Sequence, residues 1–297
     1  MSSTRASTHS QPASAAGTIT LGDDLVVNRM GFGAMRITGP GVFGPPADRA
    51  EAIRVLRRAV DLGVNFIDTA DSYGPNVSEE LIAEALHPYP PGLVIATKAG
   101  YERPGPDDWI ENGRPEHLRA QLEGSLRRLR VDRIDLWQLH RIDENVPAED
   151  QFAVLADAVS EGLVRHVGLS EVGVRDIERA RRAVPIVSVQ NRYNVFDREW
   201  EDVVDYCERE GIAFIPWYPL GAGNLGKEER GARKRLDALA NRRKTSPLQL
   251  ALAWLLARSP VMLPIPGTSK VKHLEENVAA AGIELSPDEL LEIEDDR

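Results

Sequence analysis

The stretch VNFIDTADSYG, residues 64–74, decides the fold. Val64 to Ile67 is short and mostly apolar, and Gly63 precedes it, which suits a helix end followed by a buried strand. Asp68, Asp71 and Tyr73 then follow with no polar spacer. A carboxylate leaving a core strand must be solvated in a cleft or paired, because burying it alone costs too much. Capping of the next turn by Asp68 is the simpler account, and partners elsewhere in the chain have to decide between the two.

Working outward, the same unit recurs. Apolar spacing predicts helices over 47–62, 79–86, 115–129, 151–161, 175–183, 200–210, 247–257 and 273–280. Between them lie short apolar runs at 30–35, 64–67, 93–98, 134–140, 166–170, 186–190, 212–217 and 261–264. Strict strand–helix alternation implies a parallel sheet, and eight such units in roughly 250 residues suit a closed (β/α)₈ TIM barrel. An open doubly wound sheet would carry GxGxxG between a strand and a helix. GFGAMR (31–36) has only its first half and runs into a Pro/Gly-rich loop, so the barrel is the expected fold, with helical extras at its C-terminal end. Residues 18–21 and 25–28 flank Gly-Asp-Asp and predict an N-terminal β-hairpin cap. Residues 1–17 are Ser/Ala/Thr-rich and read as a disordered tail, leaving 18–297 as one barrel domain.

Composition narrows the function. A net charge of −10 argues against nucleic-acid or anionic-membrane partners, and no apolar run approaches a membrane span. Cys207 is the single cysteine, so no intrachain disulfide can form and a reducing, cytoplasmic setting is expected. Its neighbours in VVDYCEREG mark it as a core thiol. No metal is expected.

Function in such barrels gathers at the C-terminal strand ends. Those ends carry Asp68 and Tyr73, Lys98, His140, Ser170 and Glu171, Gln190, and Trp217 with Tyr218. A tyrosine hydroxyl is a poor acid at neutral pH. A neighbouring ammonium lowers its pKa, and a carboxylate keeps that ammonium charged. Asp68, Lys98 and Tyr73 would thus form a tuned proton donor, with His140 orienting a substrate oxygen. The C-terminal run IPGTSKVKHLEEN (265–277) leads through Gly-Thr-Ser into a helix whose first turn carries Lys270, Lys272 and His273, which predicts an anion site.

FIDTADSYG, IATK (95–98), RIDLWQLH (133–140), GLSE (168–171), VQNRYN (189–194), PWYPLG (216–221) and IPGTSKVKHLEEN together resemble the aldo-keto reductase superfamily, from about residue 18 to 294. The resemblance implies a barrel that binds NADPH without a Rossmann domain, and a catalytic tetrad of Asp68, Tyr73, Lys98 and His140. It implies that Ser170 and Gln190 hold the carboxamide and that Trp217 stacks on the nicotinamide. Leu220, Gly221 and the Gly-rich loop after them would face the pyrophosphate. Gly267, Ser269, Lys270, His273, Glu276 and Asn277 would hold the adenosine end, and Met35, Arg36, Asp68, Glu171 and Tyr218 complete the set.

The chain departs from that pattern in three places. Glu171 stands where many members have Asn, although a carboxylate can still accept from the carboxamide NH₂. Gly267 and His273 stand where many have Lys and Arg, leaving Lys270 with Lys272 to read a 2′-phosphate and favouring NADPH over NADH. Arg130 replaces the glycine a helix end favours, and mild backbone strain is expected there. The substrate pocket is expected from loops 36–46 and 99–114, with Tyr101, Trp109, Tyr73 and His140 as walls for a planar or apolar carbonyl. The resemblance is nearest to bacterial reductases of the pyridoxal-reducing kind, acting as monomer or weak homo-oligomer. Two other readings stay open: a Schiff-base lyase or aldolase using Lys98, and a non-catalytic NADPH-sensing subunit.

Overall fold

The computed structural model describes residues 11–221 and 230–294, with the side chains of 230–232 set aside. The hairpin forms as read: β1 (Thr18–Leu21) pairs antiparallel with β2 (Leu25–Asn28). Then come β3 (Phe32–Gly33), α1 (Arg49–Asp61), β4 (Phe66–Asp68), α2 (Val77–Leu86) and β5 (Val94–Ala99). A small antiparallel pair, β6 (Tyr101–Glu102) and β7 (Ile110–Glu111), rises from the loop after β5. The chain continues through α3 (Pro115–Leu129), β8 (Ile134–Leu139), α4 (Ala148–Ser160), β9 (Val164–Ser170), α5 (Val174–Ala180), β10 (Ile186–Gln190), α6 (Glu201–Glu210) and β11 (Ala213–Phe214). Helices α7 (Arg230–Arg243), α8 (Pro247–Arg258), α9 (Val271–Ala279) and α10 (Pro287–Glu294) complete it.

The main sheet runs β11-β10-β9-β8-β5-β4-β3, and every neighbouring pair is parallel. The expected eighth strand, 261–264, makes a bridge instead of a regular strand. It still closes the barrel. Phe214 N–H donates to Val261 O at 2.9 Å, Leu263 N–H to Phe214 O at 2.9 Å, and Gly31 N–H to Pro264 O at 2.9 Å. Pro264 has no N–H to give, so a continuous ladder cannot form there.

The strand period of two sorts the side chains. Phe66, Val94, Ala96, Leu136, Ile215 and Leu263 form the barrel interior, packed with Leu21, Leu25 and Val27 of the hairpin. Their alternate neighbours Ile67, Ile95, Trp137 and Leu139 belong to the larger core shared with the helices. Continuing the inward parity past Phe66, Ala96 and Leu136 gives Asp68, Lys98, Gln138 and His140. The barrel thus turns from apolar at the hairpin end to ionisable at the other.

Three sequence expectations need correction. Residues 12–16 are ordered where the sequence reads as a disordered tail: Pro12–Ala16 forms a 3₁₀ turn, Ala13 is fully buried in the core, and its N–H donates to Leu62 O at 3.1 Å. Pro12 presets the first dihedral, and a methyl side chain fits the gap; residues 1–10 lie outside the described residues. The seventh unit has two helices, because α7 precedes α8. Its buried Leu236, Leu239 and Ala240 keep helical spacing inside a strongly basic run. The third correction is the bridged eighth position. Arg130, as expected, adopts the left-handed conformation, with φ 57° and ψ 46°, just after α3. No helix among the described residues is long and apolar enough to cross a membrane. Cys207 is buried, which pushes its thiol up to about 12.

Candidate active site

At the ionisable end, Lys98 Nζ donates to Asp68 Oδ1 at 2.6 Å, to Thr69 O at 2.8 Å and to Tyr73 Oη at 3.3 Å. All three side chains are buried, and Lys98 is fully enclosed. β4 and β5 are adjacent and in register, Asp68 opposite Ala96, which places the carboxylate beside the lysine two residues further along β5. Tyr73 follows β4 on a turn fixed by Asp71 N–H to Lys98 O at 3.2 Å and Tyr73 N–H to Ala70 O at 3.2 Å. The Tyr73 and His140 rings meet edge to face with centroids 5.9 Å apart. Ser72 Oγ lies 3.4 Å from His140 Nδ1.

The electrostatics follow from this enclosure. Burial pulls the Lys98 ammonium down, but Asp68 and Tyr73 outweigh it and its pKa ends above the ordinary lysine value. Tyr73 ends above the ordinary phenol value, because loss of solvent around the phenolate outweighs the pull of Lys98. The expected net lowering of Tyr73 by Lys98 is therefore corrected: the ammonium only offsets the cost of burial. Burial, then the charges of Lys98, Arg141 and Arg103, hold His140 well below the usual imidazole range, so it is neutral at physiological pH.

Asp68, Tyr73 and His140 line a cavity of about 670 Å³. Met35, Arg36, Asp68, Tyr73, Tyr101, Trp109, His140, Ser170, Gln190, Trp217, Tyr218, Leu220, Gly267, Ser269, His273, Glu276 and Asn277 all line it. Residues from every part of the barrel rim are thereby brought to one groove, with Tyr73 at one end and the first turns of α9 at the other. Lys98 lies behind Asp68 and Tyr73 and does not line it. Lys270 lines a second cavity that shares Met35, Arg36 and Ser269 with the first. Gly221 is buried outside the lining, and the Gly-rich loop after it lies outside the described residues.

Four assignments change in detail. Glu171 does not line the cavity: its Oε1 accepts from Trp217 Nε1 at 2.5 Å and from Arg192 N–H at 2.6 Å. Gln190 reaches the cavity, but its Nε2 donates to Asp68 Oδ2 at 2.9 Å. Lys272 points outward and pairs with Glu276 at 3.8 Å. At the start of α9, Val271 N–H is taken by Glu51 Oε1 at 3.1 Å and Lys270 N–H by Thr268 Oγ1 at 3.2 Å, so part of the expected anion site is satisfied internally. Gly267 has a steric reason: a Cβ there would sit 2.6 Å from Gly33 O, and one on Gly33 would sit 2.7 Å from Ile265 O. A lysine cannot take that position without moving backbone.

Sequence reasoning missed three residues. Gln138 Nε2 donates to Asp68 Oδ2 at 3.1 Å, and its inward parity two residues before His140 was an available signal. Arg141 lines the cavity and donates from Nη1 to His140 O at 2.6 Å and to Ser170 Oγ at 3.1 Å. Buried Arg103 stacks on Trp109, its guanidinium carbon 3.5 Å from the ring centroid. It ties loop 99–114 to loop 36–46 through Val42 O at 3.3 Å and Gly41 O at 3.1 Å.

A family model described as the Aldo/keto reductase family matches residues 29–295. The chain belongs to the aldo/keto reductase family. It is 55% identical to an uncharacterized oxidoreductase of Schizosaccharomyces pombe, over 100% of this chain and 94% of that protein. It is 44% identical to pyridoxine 4-dehydrogenase of Escherichia coli, over 92% of this chain and 96% of that one. Among solved structures, an aldo/keto reductase from Klebsiella pneumoniae in complex with NADP and acetate superposes with a TM-score of 0.77 at 26% identity, over 93% of both chains. This aldo/keto reductase is accordingly an oxidoreductase built on the family's barrel.

Proposed function

We propose that this protein reduces an aldehyde or ketone to the alcohol with NADPH, Tyr73 acting as general acid. The observation that carries the reading is the chain Asp68–Lys98–Tyr73, with its 2.6 and 3.3 Å contacts, whose outer members Asp68 and Tyr73 line the cavity together with His140. The groove fits the cofactor: Gly33 and Gly267 line it with backbone alone, and Ser170, Gln190, His273, Glu276 and Asn277 give it polar groups. Ser170 would hold the carboxamide, Trp217 the nicotinamide face, and His273, Glu276 and Asn277 the adenosine end. Arg36, shared between the two cavities, and Lys270 are the cations that support NADPH over NADH.

When bound, the cofactor supplies the hydride; the chain supplies position and proton. Neutral His140 orients the carbonyl oxygen toward Tyr73 Oη. Tyr73, held protonated by its burial, delivers its proton to that oxygen as negative charge develops there. Lys98 stabilises the resulting phenolate, and Asp68, held by Gln138 and Gln190, keeps Lys98 charged and in place.

Pyridoxal is the specific substrate of this reading, supported by the relative named pyridoxine 4-dehydrogenase. Action in the cytoplasm rests on the lone, buried cysteine. The Schiff-base alternative has the structure against it: Lys98 is enclosed, charged and engaged three times. Tyr73→Phe is the test. Reduction of pyridoxal and simple aromatic aldehydes should fall by roughly a hundredfold or more, while NADPH still quenches tryptophan fluorescence with near wild-type affinity. Unchanged turnover in that variant overturns the assignment.

A further inference from the structure

We infer that the substrate pocket selects carbonyl compounds that also carry an anionic group, a carboxylate or aromatic oxyanion, and that Arg141 reads that group. The inference rests on the reductase reading and deepens it. Arg141 follows His140 where the chain leaves β8, so its half-buried guanidinium lines the cavity beside the proton-transfer group. Among the described residues it makes two hydrogen bonds, to His140 O and Ser170 Oγ, both from Nη1. A guanidinium has five N–H donors in a planar fork, so Nε and Nη2 keep theirs for a ligand.

The other cations at this end are already compensated. Lys98 is paired with Asp68. Arg103 spends its donors on five carbonyls, those of Asp108, Val42, Ser72, Gly41 and Pro106. Among the described residues, no carboxylate lies within ion-pair distance of Arg141. The Glu171 carboxylate, on the same side of the rim, is bound to Trp217 and Arg192. A half-buried cation without a counter-charge, in a chain of net charge −10, is a local anion receptor against an unfavourable overall field.

The surrounding shape indicates the rest of the ligand. Tyr101 meets His140 edge to face at 4.8 Å and Trp109 at 5.3 Å, and the Arg141 guanidinium lies 5.7 Å from the Tyr101 ring centroid. Aromatic walls of this kind take a flat ring. Its carbonyl would face Tyr73 and His140, with its anionic group on Arg141.

The test compares meta- and para-formylbenzoate with their methyl esters, which keep the aldehyde and remove the charge. The wild type should prefer at least one acid over its ester in kcat/KM. Arg141→Gln should lower that acid's kcat/KM roughly ten- to a hundredfold more than the ester's, mostly through KM, and Arg141→Lys should recover part of the loss. An acid-to-ester ratio unchanged by Arg141→Gln, or a wild type that prefers both esters, overturns the inference. A wild type that reduces no aldehyde at all defeats the reductase reading instead. In that event the affinity for para-hydroxymethylbenzoate, followed by tryptophan fluorescence with NADP⁺ present, decides: weaker binding in Arg141→Gln supports the anion site, and equal binding removes it.

Discussion

The carboxylate of Glu171 accepts the indole N–H of Trp217 at 2.5 Å, from a residue whose own φ is +55°. A left-handed backbone is costly for a side chain of this kind, and Tyr218 beside the indole has φ +62°. Two strained positions thus fix the orientation of one aromatic ring in the cavity wall. Glu171 acts on the cavity through Trp217.

Glu171→Gln keeps an acceptor for the indole, whereas Glu171→Ala removes it. NADPH titrations by fluorescence should show near wild-type affinity for the first. Weakening of about tenfold is expected for the second, the size of a lost hydrogen bond to a charged group. Equal weakening in both would mean that the charge matters, not the acceptor.

Removing Lys98 while leaving Asp68 strands a buried carboxylate. Lys98→Met should destabilise the fold by about 3–5 kcal/mol, measured by urea unfolding. The double variant with Asp68→Asn should cost less than the two single losses added together, because the pair shares one interaction. Strict additivity would show that the two charges do not support each other.

The pH profile follows from two directions. His140 titrates well below its ordinary 6.5 and Tyr73 above its ordinary 10.0. Aldehyde reduction, which needs neutral His140 and protonated Tyr73, should stay level from roughly pH 6 to 9. Alcohol oxidation, which needs the phenolate, should rise through the same interval. A break in the reduction rate near the ordinary histidine value would contradict this arrangement.

Asp71 is buried, its Oδ1 has no hydrogen-bond partner among the described residues, and its pKa stands well above 3.8, first from burial and then from Glu79. Glu79 is itself held by Arg128 at 2.6 Å and Thr97 at 2.6 Å. With a raised folded-state pKa, the folded protein binds the extra proton above 3.8, so this group's contribution weakens as pH rises. Asp71→Asn should therefore raise Tm at pH 8 and raise it less at pH 5. A gain that does not depend on pH would place the effect in packing.

Arg103 holds both substrate loops through backbone carbonyls and stacks on Trp109. Arg103→Ala should raise KM for aromatic aldehydes more than it lowers kcat and should lower Tm. Arg103→Lys should rescue little, because an ammonium has neither the fork nor the flat face. Wild-type kinetics in either variant would show that the loops hold their shape without it.

Much of this was legible in the chain itself. Alternation of apolar runs and helical spacing gave the barrel. The strand period, which is local, put Asp68, Lys98 and His140 on the same inward parity, and Tyr73 sat one short turn beyond. What the chain could not show was which long-range partner each polar group takes. Gln190 reaches back to Asp68, Glu171 turns from the carboxamide position to Trp217, and Arg141 has no ion-pair partner among the described residues. The net upward shift of Tyr73 and the broken ladder at 261–264 belong with them. Local sequence sets periodicity, turns and capping through nearest-neighbour sterics. Desolvation and hydrogen-bond pairing depend on what packing brings together from distant strands, so only the folded barrel decides them.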